Sequence, residues 1–156
     1  MAEKINTVTR KKTITEIVRV KQVVMERPVA YTEGITSTER AGSLAISEIG
    51  DEAQEVVLIL ILNTKNQINA IHRVFTGSLN TSVAHPREIF RSAILNNGAR
   101  IILYHNHPSS DLTPSEADLN FTRRMMEAGD VLGIELLDHF IVSETKWLSL
   151  KEIGLL

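Results

Sequence analysis

The chain has 156 residues, enough for one domain with a real hydrophobic core. Hydrophobic residues make up 43% and charged residues 23%, an ordinary globular mix, and a net charge of −2 gives no case for the chain as a whole binding nucleic acid or an anionic membrane. The absence of cysteine excludes disulfides, thiolate metal sites and cysteine nucleophiles, and fits a reducing cytoplasm.

The opening MAEKINTVTRKK lacks the apolar core of a signal peptide, and the longest apolar run, Val56 to Leu62, is too short to span a bilayer. A cytoplasmic protein with no membrane association is therefore expected. Charge is uneven: Met1 to Arg27 holds seven Lys/Arg against three Glu. Residues 1–35 are accordingly read as a basic N-terminal strand segment, and 36–156 as the domain proper. Ile14 to Met25, ITEIVRVKQVVM, is rich in β-branched residues and partly alternates, which predicts a strand. Such a strand could pair with that of a second copy in a homo-oligomer.

Thr36-Ser37-Thr38-Glu39 has capping-box spacing, and the apolar residues after it predict a helix to about Ile49. Glu55 then opens VVLILIL, a continuous apolar run that predicts a strand buried on both faces. After the turn NTKNQ, Ile68 to Phe75 predicts an antiparallel return. TGSLNTSVAHP reads as a loop. Pro86 suits the first turn of a helix over Arg87 to Leu95, which stops at Gly98. Arg100 to Tyr104 predicts a short buried strand. Thr113-Pro114-Ser115-Glu116 reads as a second capping box, opening a helix to about Ala128 with Leu119, Thr122, Met125 and Met126 near its buried side. IELLDHFIVS and KWLSL predict a final strand pair. This order, β-α-β-β-α-β-α-β-β, predicts an α/β domain of three layers with a mixed sheet.

Chemistry concentrates in IILYHNHPSSDLTPSEAD, Ile101 to Asp118. His105 and His107 leave a strand two residues apart, so in extended chain both imidazoles point the same way. Ser115 and Asp118 are three apart, on one face of the first helical turns. Two neutral imidazoles and a carboxylate suit a catalytic Zn²⁺ with one position left open for water, whose pKa zinc lowers from about 15.7 to near 7. A hydrolase built this way also needs a general base. Asp111 could ligate metal, but Asp118 fits better. His85 is read as a helix cap or structural contact, and His139 as a hydrogen-bonded core histidine or a support of the cleft. His72 and the arginines Arg87 and Arg91 are read as exposed, and Trp147 as packing.

The string H-x-H-P-x6-S-x2-D, set between a buried strand and a capped helix, resembles the JAMM (MPN+) metalloprotease motif. LNTSVAHPREIFRSAILNNGARIILYHNHPSS and LDHFIVS resemble, more closely, the RadC-like JAB-domain branch, over roughly residues 36–156. The chain lacks room for the helix-hairpin-helix region of long RadC proteins and so resembles the short, free-standing members. The resemblance implies a cytidine-deaminase-like α/β/α (JAB/MPN) fold and one zinc ion per chain. His105, His107 and Asp118 would be its ligands, and Ser115 would help hold the oxyanion of a tetrahedral intermediate. The family also requires an upstream glutamate acting through the catalytic water. Glu55, at the mouth of a buried strand, matches that place better than Glu88, which falls on a helix.

The reading that follows is a zinc metallopeptidase or isopeptidase, with a peptide or isopeptide-linked protein as substrate. Two alternatives stand beside it: a nucleic-acid-processing or binding protein, after the family's DNA-repair label, and a non-catalytic interaction scaffold. HNH here is three consecutive residues, unlike the nuclease motif of that name. A zinc deaminase needs a Cys-x-x-Cys pair, so this chain cannot be one.

Overall fold

A computed structural model describes residues 13–29, 33–77 and 85–156. Its elements are α1 (Thr38–Ile49), β1 (Val56–Leu62), β2 (Ile68–Thr76), α2 (Pro86–Leu95), β3 (Arg100–Asn106), α3 (Glu116–Leu132), β4 (Glu135–Val142) and β5 (Trp147–Ser149). The strands form one mixed sheet in the order β2-β1-β3-β4-β5, antiparallel except where β3 runs parallel to β4.

The sheet is buried on both faces because its central strands are apolar on both. All seven residues of β1 are buried. Val57, Ile59 and Ile61 pack with Ile89 and Phe90 of α2 and Phe121 and Met125 of α3. Val56, Leu58, Leu60 and Leu62 pack with Leu44, Ala45 and Ile49 of α1. Each fully buried aliphatic side chain contributes roughly 1.5–3 kcal/mol by leaving water. The result is the expected three-layer α/β/α domain, with one helix on one face and two on the other. Among the described residues, no helix is long and apolar enough to cross a membrane.

Several expectations need correction. Ile14 to Met25 forms no strand: it lies outside the sheet, with Ile14 at 95% and Val23 at 101% exposure. β-branched residues favour a pleated, half-buried surface, and no strand edge is paired with this segment to provide one. Side-chain contacts tether this stretch and the residues just after it, Gln22 to Asn96 at 3.1 Å and Arg27 to Glu48 at 2.7 Å. The element order among the described residues therefore begins with α1. The helix caps also shift. Ser37, not Thr36, caps α1, and Ser115, not Thr113, caps α3. The left-handed residue after α2 is Asn97, at φ 52°, rather than Gly98. Of the loop expected over 76–86, residues 78–84 lie outside the described residues.

The last helix also outruns its expected end at Ala128, passing through Gly129 to Leu132 and closing at Gly133 with φ 68°. Gly129 sits mid-helix because the chain doubles back onto it: the Ile134 N–H donates to the Gly129 carbonyl at 2.9 Å. A Cβ there would lie 2.4 Å from the Ile134 carbonyl oxygen. Replacing a mid-helix glycine by alanine ordinarily gains about 1 kcal/mol. Gly129→Ala is expected instead to destabilise the fold by about 1–3 kcal/mol, because backbone must move to admit the methyl group. A urea denaturation midpoint that rises in this variant would contradict that close approach.

Candidate metal centre

Three elements converge at one end of the sheet. β1 begins there, β3 ends there, and α3 returns over it. In the antiparallel β1–β3 ladder, Val57 stands opposite His105. Extending that register two residues beyond the ladder sets Glu55 opposite His107, although 52 residues separate them. Side chains alternate between faces of a sheet, so Glu55, Val57, His105 and His107 all turn toward the α3 side. The His107 N–H donates to the Val142 carbonyl of β4 at 2.8 Å, which holds the chain extended through the second histidine.

The first turn of α3 supplies the third group. Ser115 caps the helix by accepting from the Asp118 N–H at 3.1 Å, and the Asp118 carboxylate accepts in return from the Ser115 N–H at 2.7 Å. This reciprocal cap fixes the Asp118 side chain while leaving carboxylate oxygens turned to the histidines. His105 Nε2 lies 3.2 Å from Asp118 Oδ1, and His107 Nε2 lies 3.4 Å from Asp118 Oδ2. The two Nε2 atoms are 2.9 Å apart. His105 and Asp118 are buried, and His107 is partly open to an outer pocket of about 310 Å³. Glu55, Asp111 and Ser115 line that same pocket.

The electrostatics suit a cation. Burial pushes the Asp118 carboxyl up, but the facing imidazoles of His105 and His107 overcome this and hold it far below the usual carboxylate range. Burial pushes His105 down, whereas the Asp118 carboxylate beside it raises His107. His107 Nδ1–H donates to the Asp111 carbonyl at 2.6 Å, so in the neutral ring its Nε2 carries a lone pair. At most one proton fits between the two facing Nε2 atoms. Two imidazole nitrogens and a carboxylate, with ligand atoms all within 4.8 Å of one another, form the donor set that zinc takes. The residues present therefore fit a zinc ion.

The structure thus brings His105, His107 and Asp118 together and places Glu55 and Ser115 on the rim of the same pocket. Glu55 is not part of the close cluster. Glu88 is elsewhere, ion-paired on α2 with Arg87 and Arg91. Asp111 contributes its carbonyl to His107, while its carboxylate accepts from the Thr113 N–H at 3.0 Å. His85 caps α2, its Nδ1 accepting from the Arg87 N–H at 3.3 Å. His72 is exposed and contacts Ser92 at 2.9 Å. Trp147 packs edge-on against Phe140 and covers Gly42, where a Cβ would meet its ring at 2.4 Å. His139 is buried, with Nε2 2.7 Å from His105 Nδ1.

Sequence reasoning gave Asn106 no role, yet it is wholly buried between the two histidines. Its side chain turns to the opposite face. Oδ1 accepts from the Val56 N–H at 2.7 Å, and Nδ2 donates to the carbonyls of Gln54 at 3.0 Å and Glu52 at 3.2 Å. Those contacts clamp the backbone on both sides of Glu55. The signal was available: an amide one residue from each ligand, in a strand, must leave the ligands' face and find buried partners. Asn106→Ala leaves the buried Val56 N–H without its acceptor, so stability should fall by about 1–3 kcal/mol. Hydrogen exchange at the Val56 amide should accelerate in this variant; exchange as slow as in the parent would remove the clamp from the account.

Comparison with known proteins identifies the family of the domain. A family model described as the RadC-like JAB domain matches residues 35–155. A UPF0758 protein of Clostridium beijerinckii is 52% identical over 122 residues, covering 78% of this chain and 53% of its own length. A UPF0758 protein of Clostridium botulinum (strain Hall) is 57% identical over 101 residues, covering 65% of this chain and 44% of its own. The chain spans about half the length of the curated relatives it matches. With the family model covering nearly all of the described domain, this chain belongs to the RadC-like JAB domain family.

Proposed function

We propose that this domain is a zinc-dependent hydrolase of the JAMM type, acting on peptide or isopeptide bonds. The observation that carries the reading is the convergence of His105, His107 and Asp118 on one point, with Glu55 on the rim of the pocket that opens onto it. Zinc, when bound, supplies Lewis-acid polarisation of a carbonyl and a water of lowered pKa.

The chain's own groups do the rest. Glu55, clamped by Asn106, takes the proton of the attacking water and passes it to the leaving nitrogen as the C–N bond breaks. It can shuttle because it lies outside the ligand cluster. The Ser115 hydroxyl already accepts from the Asp118 N–H, so its own proton is available to a developing oxyanion. The polar rim, open to solvent, suits an extended peptide segment more than a small apolar molecule.

Metal analysis of protein purified without added zinc should find about one zinc per chain, and the His105→Ala/His107→Ala double variant should retain none. Stoichiometric zinc in that variant would refute the ligand assignment. Given a substrate turned over in a chelator-sensitive way, Glu55→Gln should keep its zinc and lose about 10²–10⁴-fold in turnover, whereas Glu88→Gln should change little. The reverse ranking would move the base to Glu88. Chelator-sensitive cleavage of single- or double-stranded DNA, abolished by Asp118→Ala, would replace the amide-bond reading by a nuclease.

A further inference from the structure

We propose that Thr122 and His139 fix the tautomer of His105, so that its Nε2 presents a lone pair to the site before any metal arrives. The proposal rests on the zinc reading for its purpose but not for its geometry. Three contacts run in line through the buried layer between α3 and the sheet. Thr122 Oγ1 lies 2.7 Å from the Asp118 carbonyl oxygen and 2.6 Å from His139 Nδ1. His139 Nε2 lies 2.7 Å from His105 Nδ1.

Proton counting gives the line one direction. A carbonyl oxygen only accepts, and a threonine hydroxyl has one proton. At 2.7 Å from the Asp118 carbonyl, that proton must lie between the two oxygens. Reversing the line would leave two acceptor oxygens in contact with no hydrogen between them. Thr122 Oγ1 can then only accept from His139, so Nδ1 of His139 carries the hydrogen. His139 is wholly buried, with the Phe121 ring edge-on at 6.3 Å, and its two ring nitrogens face a hydroxyl and an imidazole rather than a carboxylate, so nothing beside it would pair with a buried positive charge. The ring is neutral, and its Nε2 must accept. His105 Nδ1 therefore donates, and in the neutral His105 ring the lone pair falls on Nε2, the atom facing His107 and Asp118.

The anchor of this line is the carbonyl of Asp118, whose carboxylate is the third group of the cluster. One helical turn thus both supplies a ligand and sets the tautomer of another. His107 reaches the same tautomer separately, through the Asp111 carbonyl. Thr122 and His139 are positioning residues that act through His105.

The test is nitrogen-15 NMR of the histidine rings in the full chain, metal-free and during zinc titration. In the metal-free parent, His105 and His139 should both carry hydrogen on Nδ1 and none on Nε2. Thr122→Val, nearly the same shape, removes the acceptor of His139 Nδ1–H. His139 should shift to the Nε2–H form and drive His105 to Nε2–H, and zinc affinity should fall about 10–100-fold. Thr122→Ser restores the hydroxyl and should restore both tautomers. A Nε2–H tautomer at His105 in the metal-free parent, or an unchanged His105 tautomer in a folded Thr122→Val protein, would overturn the proposal. Should Thr122→Val fail to fold, the parent spectrum alone decides. A parent with the expected tautomers that binds no zinc would sink the zinc reading and leave this assignment standing.

Discussion

The register between β1 and β3 is the constraint on which the candidate site depends. Val57 opposite His105 is a pairing inside a hydrophobic ladder, set by which side chains fit between α1 on one face and α2 and α3 on the other. A slip of one residue would turn every apolar side chain of β1 to the other face and carry Glu55 away from the histidines. Because β1 is apolar on both faces, the hydrophobic pattern alone specifies this register weakly. Asn106 supplies the missing specificity, since its amide can pair with Val56, Gln54 and Glu52 in only one alignment. The residue between the two candidate ligands thus locks the strand that presents the candidate base.

A second constraint acts on α3. Its first turn must be fixed before Asp118 can face both histidines, and the reciprocal bonds of Ser115 and Asp118 provide this without any contact from outside the helix. One turn later, Thr122 ties the same helix to His139 on β4. The polar groups of this region satisfy one another in an apolar surround, where a group left unpaired is costly. The cluster is therefore held by the fold itself. The facing nitrogens and carboxylate are positioned by helix capping, strand register and buried hydrogen bonds.

Much of this was legible in residue order. VVLILIL could only be a buried strand, Pro86 marked a helix start, and the spacing of His105, His107, Ser115 and Asp118 matched a strand end facing a helix start. What stayed illegible depended on partners distant in sequence. Ile14 to Met25 has the composition of a strand, but a strand needs an edge, and nothing local says whether one is present. Thr113 and Ser115 are equally good caps by type, and each has a carboxylate three residues on, Glu116 and Asp118; the contacts of Asp118 with His105 and His107 distinguish the second only once the chain is folded. Gly129 looked like the end of a helix, and its place inside one follows from the return of Ile134. Asn106 had no assigned role and Thr122 was placed only on the buried side of its helix, because their roles exist only once β1 and β4 flank β3.

The proposed function requires that this end of the sheet hold one zinc ion through two imidazoles and one carboxylate. Zinc-edge X-ray absorption on the zinc-loaded chain tests it most directly. The account predicts a four-coordinate shell containing two imidazole nitrogens at about 2.0–2.1 Å, with oxygen donors completing it. A shell without two imidazoles, or a six-coordinate shell of oxygens alone, would contradict it.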